Sequence, residues 1–164
     1  MKLTSLEELF RHELKDLFSA ETQLVKALPR MATAATNPEL RARFGQDFEE
    51  TQGHVERLNR IAQDLGVTLT GHWCHAMEGL IKGERKMISE DAEPAVRDAG
   101  LIAAAQGIEH FEIAAYGTAQ CFAETLGHGE VARLLGETLA EEKAGNEVLT
   151  KLAKTKINAE ACGV

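Results

Sequence analysis

The 164-residue chain carries 26 acidic and 18 basic side chains, a formal net charge of −8, with 5% aromatic residues and three prolines. That acidity, without a clustered Lys/Arg run, argues against phosphate-backbone binding and predicts no nucleic-acid partner. Ala, Leu, Glu and Lys recurring at helical spacing predict an all-α fold, as one domain over residues 1–164.

No segment approaches the apolar length that spans a membrane, so no membrane partner is expected. Cys74, Cys121 and Cys162 are odd in number and fit no disulfide framework or zinc spacing. With no apolar signal-peptide core after Met1, a reduced, cytoplasmic protein is expected.

The first helix is expected to begin at Thr4 or Ser5, where Thr4 with Glu7, or Ser5 with Glu8, makes a capping box. Phe10, Leu14, Leu17, Glu21, Leu24, Leu28 and Met31 then share one face. Pro29 is expected to kink or interrupt this helix. Asn37 caps and Pro38 opens a second helix, which Gly66 ends. Its stripe is Leu40, Phe44, Asp47, Thr51, His54, Leu58, Ile61 and Leu65, with Glu50 beside Asp47 and His54.

From Val67 to Arg97 the connection is too long for a tight turn. Met77, Leu80, Ile81, Met87 and Ile88 predict a short helix from Cys74 to Ser89 lying across the bundle, as in two helical hairpins joined by a crossover. A third long helix runs from Pro94 to Leu126 with the stripe Leu101, Ala105, Ile108, Glu112, Ala115, Ala119, Phe122 and Leu126, and Glu109 one turn before Glu112. After a turn at Gly127-His128-Gly129, the fourth carries Val131, Leu135, Thr138, Glu142, Gly145, Leu149 and Leu152. Residues 158–164 are expected to be disordered.

Each long helix thus interrupts its apolar stripe with a carboxylate near its midpoint. Antiparallel packing brings Glu21, Glu50, Glu112 and Glu142 to one level, with Glu109 and His54 close by. Taken singly, a glutamate on an apolar stripe is most often a boundary residue reaching solvent, and His54 is as well read as a hydrogen-bonded core histidine. Four at matched depth, in the repeated pair Glu49-Glu50-x-x-Gly53-His54 and Glu141-Glu142-x-x-Gly145-Asn146, favour a metal site. Buried carboxylates repel and are costly to desolvate, and no matching Lys or Arg is expected on these faces. Two iron or manganese ions, the metals suited to carboxylate and imidazole, would neutralise them. Asp47 and Asn146 read as neighbours of the ligands rather than ligands. Tyr116, one turn after Glu112, either reaches the site through its hydroxyl or simply packs. His72-Trp73-Cys74-His75 reads as a connection, with Trp73 covering the bundle surface.

Four segments carry a resemblance: Glu13-Leu14-x-Asp16-Leu17-x-x-Ala20-Glu21-x-Gln23-Leu24; Ala27-Leu28-Pro29-x-Met31; Cys74-x-Ala76-Met77-x-Gly79-Leu80; and Gln106-x-Ile108-Glu109-His110-Phe111-Glu112-Ile113-Ala114-x-Tyr116-Gly117-Thr118. The chain resembles the YciE/YciF family of ferritin-like stress proteins over nearly its whole length. The resemblance implies a ferritin-like bundle, a homodimer, and kinship with rubrerythrins, whose paired third-helix glutamates Glu109 and Glu112 match. It places Glu21, Glu50 and Glu142 at ligand positions. Gly53 and Gly145 stand where the two histidines of the wider pattern are expected, and Asp47 where relatives are expected to carry histidine. One strong and one weak site, or a vestigial site, are both compatible with that departure.

Three functions follow. The first is a stress-related di-iron or di-manganese protein reacting with peroxide or oxygen, supplied by a separate electron donor because no Cys-x-x-Cys pair is present. The second is metal sequestration without turnover. The third is a metal-free structural stress module.

Overall fold

The computed structural model describes residues 3–163, and among them every regular element is helical. Helix α1 spans Leu6–Ala34, α2 Pro38–Leu65, α3 His75–Ser89, α4 Pro94–Thr125 and α5 Gly129–Leu152. A π-helical turn at Ala153–Ile157 and a short α6, Asn158–Ala161, follow. The chain therefore stays helical through Ala161 where disorder was expected over residues 158–164, because buried Ile157 anchors the segment and α6 packs on α4; residue 164 lies outside the described residues.

The helix ends follow local chemistry. Ser5 caps α1 by accepting from the Glu8 N–H at 3.2 Å, while the Glu8 carboxylate accepts from the Thr4 N–H at 2.6 Å. Asn37 caps α2, accepting from the Glu39 and Leu40 N–H groups, and Pro38 takes the first turn. Gly66 closes α2 at φ 61°, the left-handed conformation that glycine adopts without penalty. Pro29 lies inside α1 without ending it. It removes one N–H from the ladder, and buried Leu28 and Met31 on either side hold the helix to the core.

Short loops join α1 to α2 and α4 to α5, and each pair packs as a hairpin. α1 then packs on α4 and α2 on α5, closing four helices around one axis. The long connection carries α3 across α1 and α4, where Gly100 gives Met87 room that a Cβ would take. The apolar stripes of α1 and α5 are buried throughout, and that of α2 up to Leu65. On α4 the buried line beyond Glu112 runs through Tyr116 and Ala123, leaving Ala115, Phe122 and Leu126 half-buried. A step of four rather than three turns the large Tyr116 inward, where its hydroxyl finds a partner.

The core falls into two apolar clusters. One gathers Leu24, Leu28, Met31, Leu40, Phe44, Met77, Leu101, Ile108 and Leu149; the other Phe10, Leu14, Leu17, Leu58, Ile61, Tyr116 and Leu135. The buried carboxylates Glu21, Asp47, Glu109, Glu112 and Glu142 lie at the sequence level between them. Among the described residues no helix is long and apolar enough to cross a membrane.

Candidate metal centre

Glu21 from α1, His54 from α2 and Glu142 from α5 each direct one ligand atom into a common space, all within 4.8 Å of one another. The three are buried. His54 Nδ1 stands 3.4 Å from Glu21 Oε1 and 3.1 Å from Glu142 Oε1, yet makes no aligned hydrogen bond to either. The opposite ring nitrogen is held firmly. Nε2–H donates to Glu141 Oε2 at 2.9 Å, since a carboxylate there can only accept. Glu141 is itself gripped by both Arg57 nitrogens, at 2.8 and 3.1 Å. Pinning one ring nitrogen to a carboxylate while the other faces the ligand space is how histidine is prepared for a metal.

Glu21 is fixed by α4: the Tyr116 hydroxyl donates to Glu21 Oε1 at 2.5 Å, leaving Oε2 buried without a hydrogen bond. Glu112 is buried on the same helix with Oε1 likewise unsatisfied, and so is Oε2 of Glu109. These three orphaned acceptors lie at one level of the bundle; the buried Glu84 carboxylate on α3, also without a hydrogen bond, lies apart beside Arg30. Buried polar atoms without partners are rare in folded proteins and call for an explanation such as an ion.

The electrostatics follow from crowding. Burial raises the Glu21 carboxyl above its ordinary value, with the nearby His54 ring opposing. Burial and then the Glu142 and Glu21 charges raise Glu112 well above it. Burial and the Glu142 charge raise Glu109 to about 10. For His54, burial favours the neutral ring, but the Glu142 and Glu21 carboxylates outweigh it and raise the imidazole to about 10. Glu141 is lowered, because its pairing with Arg57 outweighs its partial burial. A proton between these groups does part of what a metal ion would do.

The other half of the cavity is organised differently. Arg43 is buried on the α2 stripe, paired with Asp47 one turn on and with Glu50 Oε2 at 2.8 Å. No matching set of Lys or Arg was expected on the faces carrying the glutamates, and Arg43 supplies one such cation. Glu50 also accepts from Gln46 at 2.7 Å, and its side chain is 30% exposed, so it faces Arg43 rather than His54. Burial raises Asp47 to about 7 against the pull of Arg43. Asn146 accepts from Gln106 at 3.1 Å and does not line the cavity. Among the described residues nothing comes within 4 Å of a Cβ at Gly53, and the structure offers no reason for that glycine. Trp73 is half exposed and lies beside Gln23 and Lys26 of α1 and Ile81 of α3, while His72 bonds to Asp16 and the Cys74 thiol caps α3.

Sequence reasoning thus names His54, Glu109, Glu112 and Glu142, which line the cavity with Glu50, and Glu21, which meets His54 and Glu142 without lining it. It misses Arg43, Arg57 and Glu141. The signal for Arg43 was available, since it precedes Asp47 by four and Glu50 by seven residues on a stripe already drawn. Arg57, three after His54, gives no such hint, because its role depends on a partner from α5.

A family model described as "Domain of unknown function (DUF892)" matches residues 5–162. The chain belongs to this family. It is 43% identical over 162 residues to Protein YciF of Escherichia coli strain K12, covering 98% of each sequence. The crystal structure of that E. coli stress protein superposes with a TM-score of 0.92, covering 95% of this chain and 99% of the other. A ferritin-like diiron-carboxylate protein of Bacillus anthracis str. Ames superposes with a TM-score of 0.71 at 18% identity, covering 92% of this chain and 99% of that one. This DUF892 chain therefore has the ferritin-like fold.

Proposed function

We propose that the chain is a stress-related carboxylate metal protein that holds iron or manganese between Glu21, His54 and Glu142 and reacts there with peroxide or oxygen. The observation that carries this reading is His54, whose Nε2 is locked to Glu141 and whose Nδ1 lies unbonded between two buried carboxylates. The donor set, two carboxylates and an imidazole with Glu112 beside them, suits these metals. The similarity to the E. coli stress protein supports the stress association.

When bound, such an ion supplies one-electron redox chemistry toward the oxidant. The chain's own residues supply the rest. Arg57 and Glu141 keep the His54 ring oriented, Tyr116 holds Glu21 through its hydroxyl, and Leu24, Leu28 and Ile108 line the cavity and limit water. Glu109 and Glu112, raised by burial, can hold protons beside the reacting centre. The reading includes a separate electron donor and a homodimer, tested by sedimentation; half-exposed Trp73 on the crossover is apolar surface that an interface would cover.

The test is metal per chain by elemental analysis after expression with iron or manganese. Stoichiometric metal, lost in Glu142→Ala and His54→Ala, is the expected result, followed by metal-dependent peroxide consumption. Metal without turnover leaves a sequestering protein. No metal in the parent, with an intact fold, favours the structural module, in which a protonated His54 supplies the counter-charge between Glu21 and Glu142.

A further inference from the structure

A di-metal bundle of this type takes a Glu from each of two helices and a Glu-x-x-His pair from each of the other two. Here one half of the cavity gathers Glu21, His54 and Glu142. In the other half the position three residues after Glu142 is Gly145. A Cβ there would stand 2.8 Å from Arg43 Nη2 and 3.0 and 3.1 Å from the two Glu109 oxygens. A side chain at 145 would therefore displace the guanidinium, and the glycine that replaces the expected ligand also makes its room. Arg43 is 8% exposed and ion-paired to Asp47 and Glu50, two of the acids nearest that half.

We propose that the Arg43 guanidinium is the built-in cation of the second half of the site, so that the chain holds one metal ion rather than two. This rests on the metal reading above and narrows it. A guanidinium keeps its charge at any working pH and offers a planar fork of donors, so it neutralises paired carboxylates without exchange. Glu50, turned onto Arg43, is then unavailable as the bridging ligand that a second ion needs. The carboxylates of Asp47 and Glu50 are spoken for by a residue, not by a metal, and the mid-helix glycine at 145 has a reason.

The experiment loads the metal-free protein with Mn(II), removes unbound metal by gel filtration, and measures manganese per chain together with the Mn(II) EPR spectrum. One ion per wild-type chain is expected, with the resolved hyperfine pattern of an isolated ion. Arg43→Ala is expected to take up two, with a spectrum broadened by exchange between neighbouring ions, and Arg43→Lys to stay at one. Because Arg43→Ala leaves buried acids unpaired, Arg43→Gln is measured beside it and helicity is checked by circular dichroism. The wild-type count stands whether or not these variants fold. Two ions in the wild type overturn this proposal and leave the metal reading intact, as does a single ion in both folded neutral variants. No ion in the wild type overturns both.

Discussion

His54 is the residue on which the charges of three helices converge. In the metal-free protein its imidazole is raised to about 10 from an ordinary 6.5, against the effect of burial, by Glu142 and Glu21. A group raised in the folded state contributes stability that is complete below its unfolded value and is lost as pH rises through its folded value. Urea unfolding of the metal-free protein is therefore expected to weaken from about pH 7 to 10, and His54→Gln to flatten that decline. His54→Ala at neutral pH is expected to cost roughly 3–5 kcal/mol, the penalty for stripping the partner from a buried charge. Thiols make a second residue-scale prediction. Cys74 is buried and its thiol is pushed up to about 11, mainly by burial, whereas Cys121 and Cys162 are exposed. At pH 8 two thiols are expected to react rapidly with a disulfide reagent, and the third only on unfolding. Fast reaction of all three would contradict the buried cap.

At the scale of elements, the loop between α1 and α2 is tied down from a distant helix. Asp98 on α4 is buried and accepts from the Thr36 N–H at 2.8 Å, the Thr36 hydroxyl at 2.6 Å and the Asn37 N–H at 2.7 Å. Asp98→Ala leaves the buried Asn37 N–H unpaired and is expected to cost about 2–3 kcal/mol in chemical denaturation. Asp98→Asn, which keeps an acceptor, should recover part of it. Nothing in sequence spacing points to Asp98, since its partners lie some sixty residues away. The helices themselves were legible because period and caps are local: Ser5, Asn37-Pro38 and Gly66 bound them where their chemistry says they must. The glutamates were legible too, as carboxylates out of place on apolar stripes. What balances them was legible only in part: the Tyr116 hydroxyl was placed within reach of the site, but its partner Glu21 on α1 was not, nor was the reach of Arg57 to Glu141 across the bundle. These pairings depend on the rotation of each helix about its axis, which a stripe fixes only to about one residue step, as the inward turn of Tyr116 in place of Ala115 demonstrates.

For the molecule as a whole, a band of buried acids separates two apolar clusters, and several of its polar atoms have no partner. Folding without metal requires the band to take up protons, notably at Glu109 and at His54, both raised to about 10. An ion that binds only the folded state replaces some of those protons and adds stability by mass action. At a hundredfold excess over its dissociation constant the gain is about 2.7 kcal/mol, which for a domain of this size corresponds to a rise in Tm of roughly 5–10 °C. Thermal unfolding of the wild type is expected to show that rise with Mn(II) over EDTA, together with proton release detected in a weakly buffered solution. Glu142→Gln separates the metal effect from simple relief of repulsion. It removes one ligand and one buried charge, so its metal-free Tm should equal or exceed that of the wild type, while the increment with Mn(II) disappears. An unchanged increment in Glu142→Gln would put the binding site elsewhere on this acidic surface. A Tm lowered by the substitution even in EDTA would mean that the His54 ion pair, rather than carboxylate repulsion, dominates the energetics of the centre.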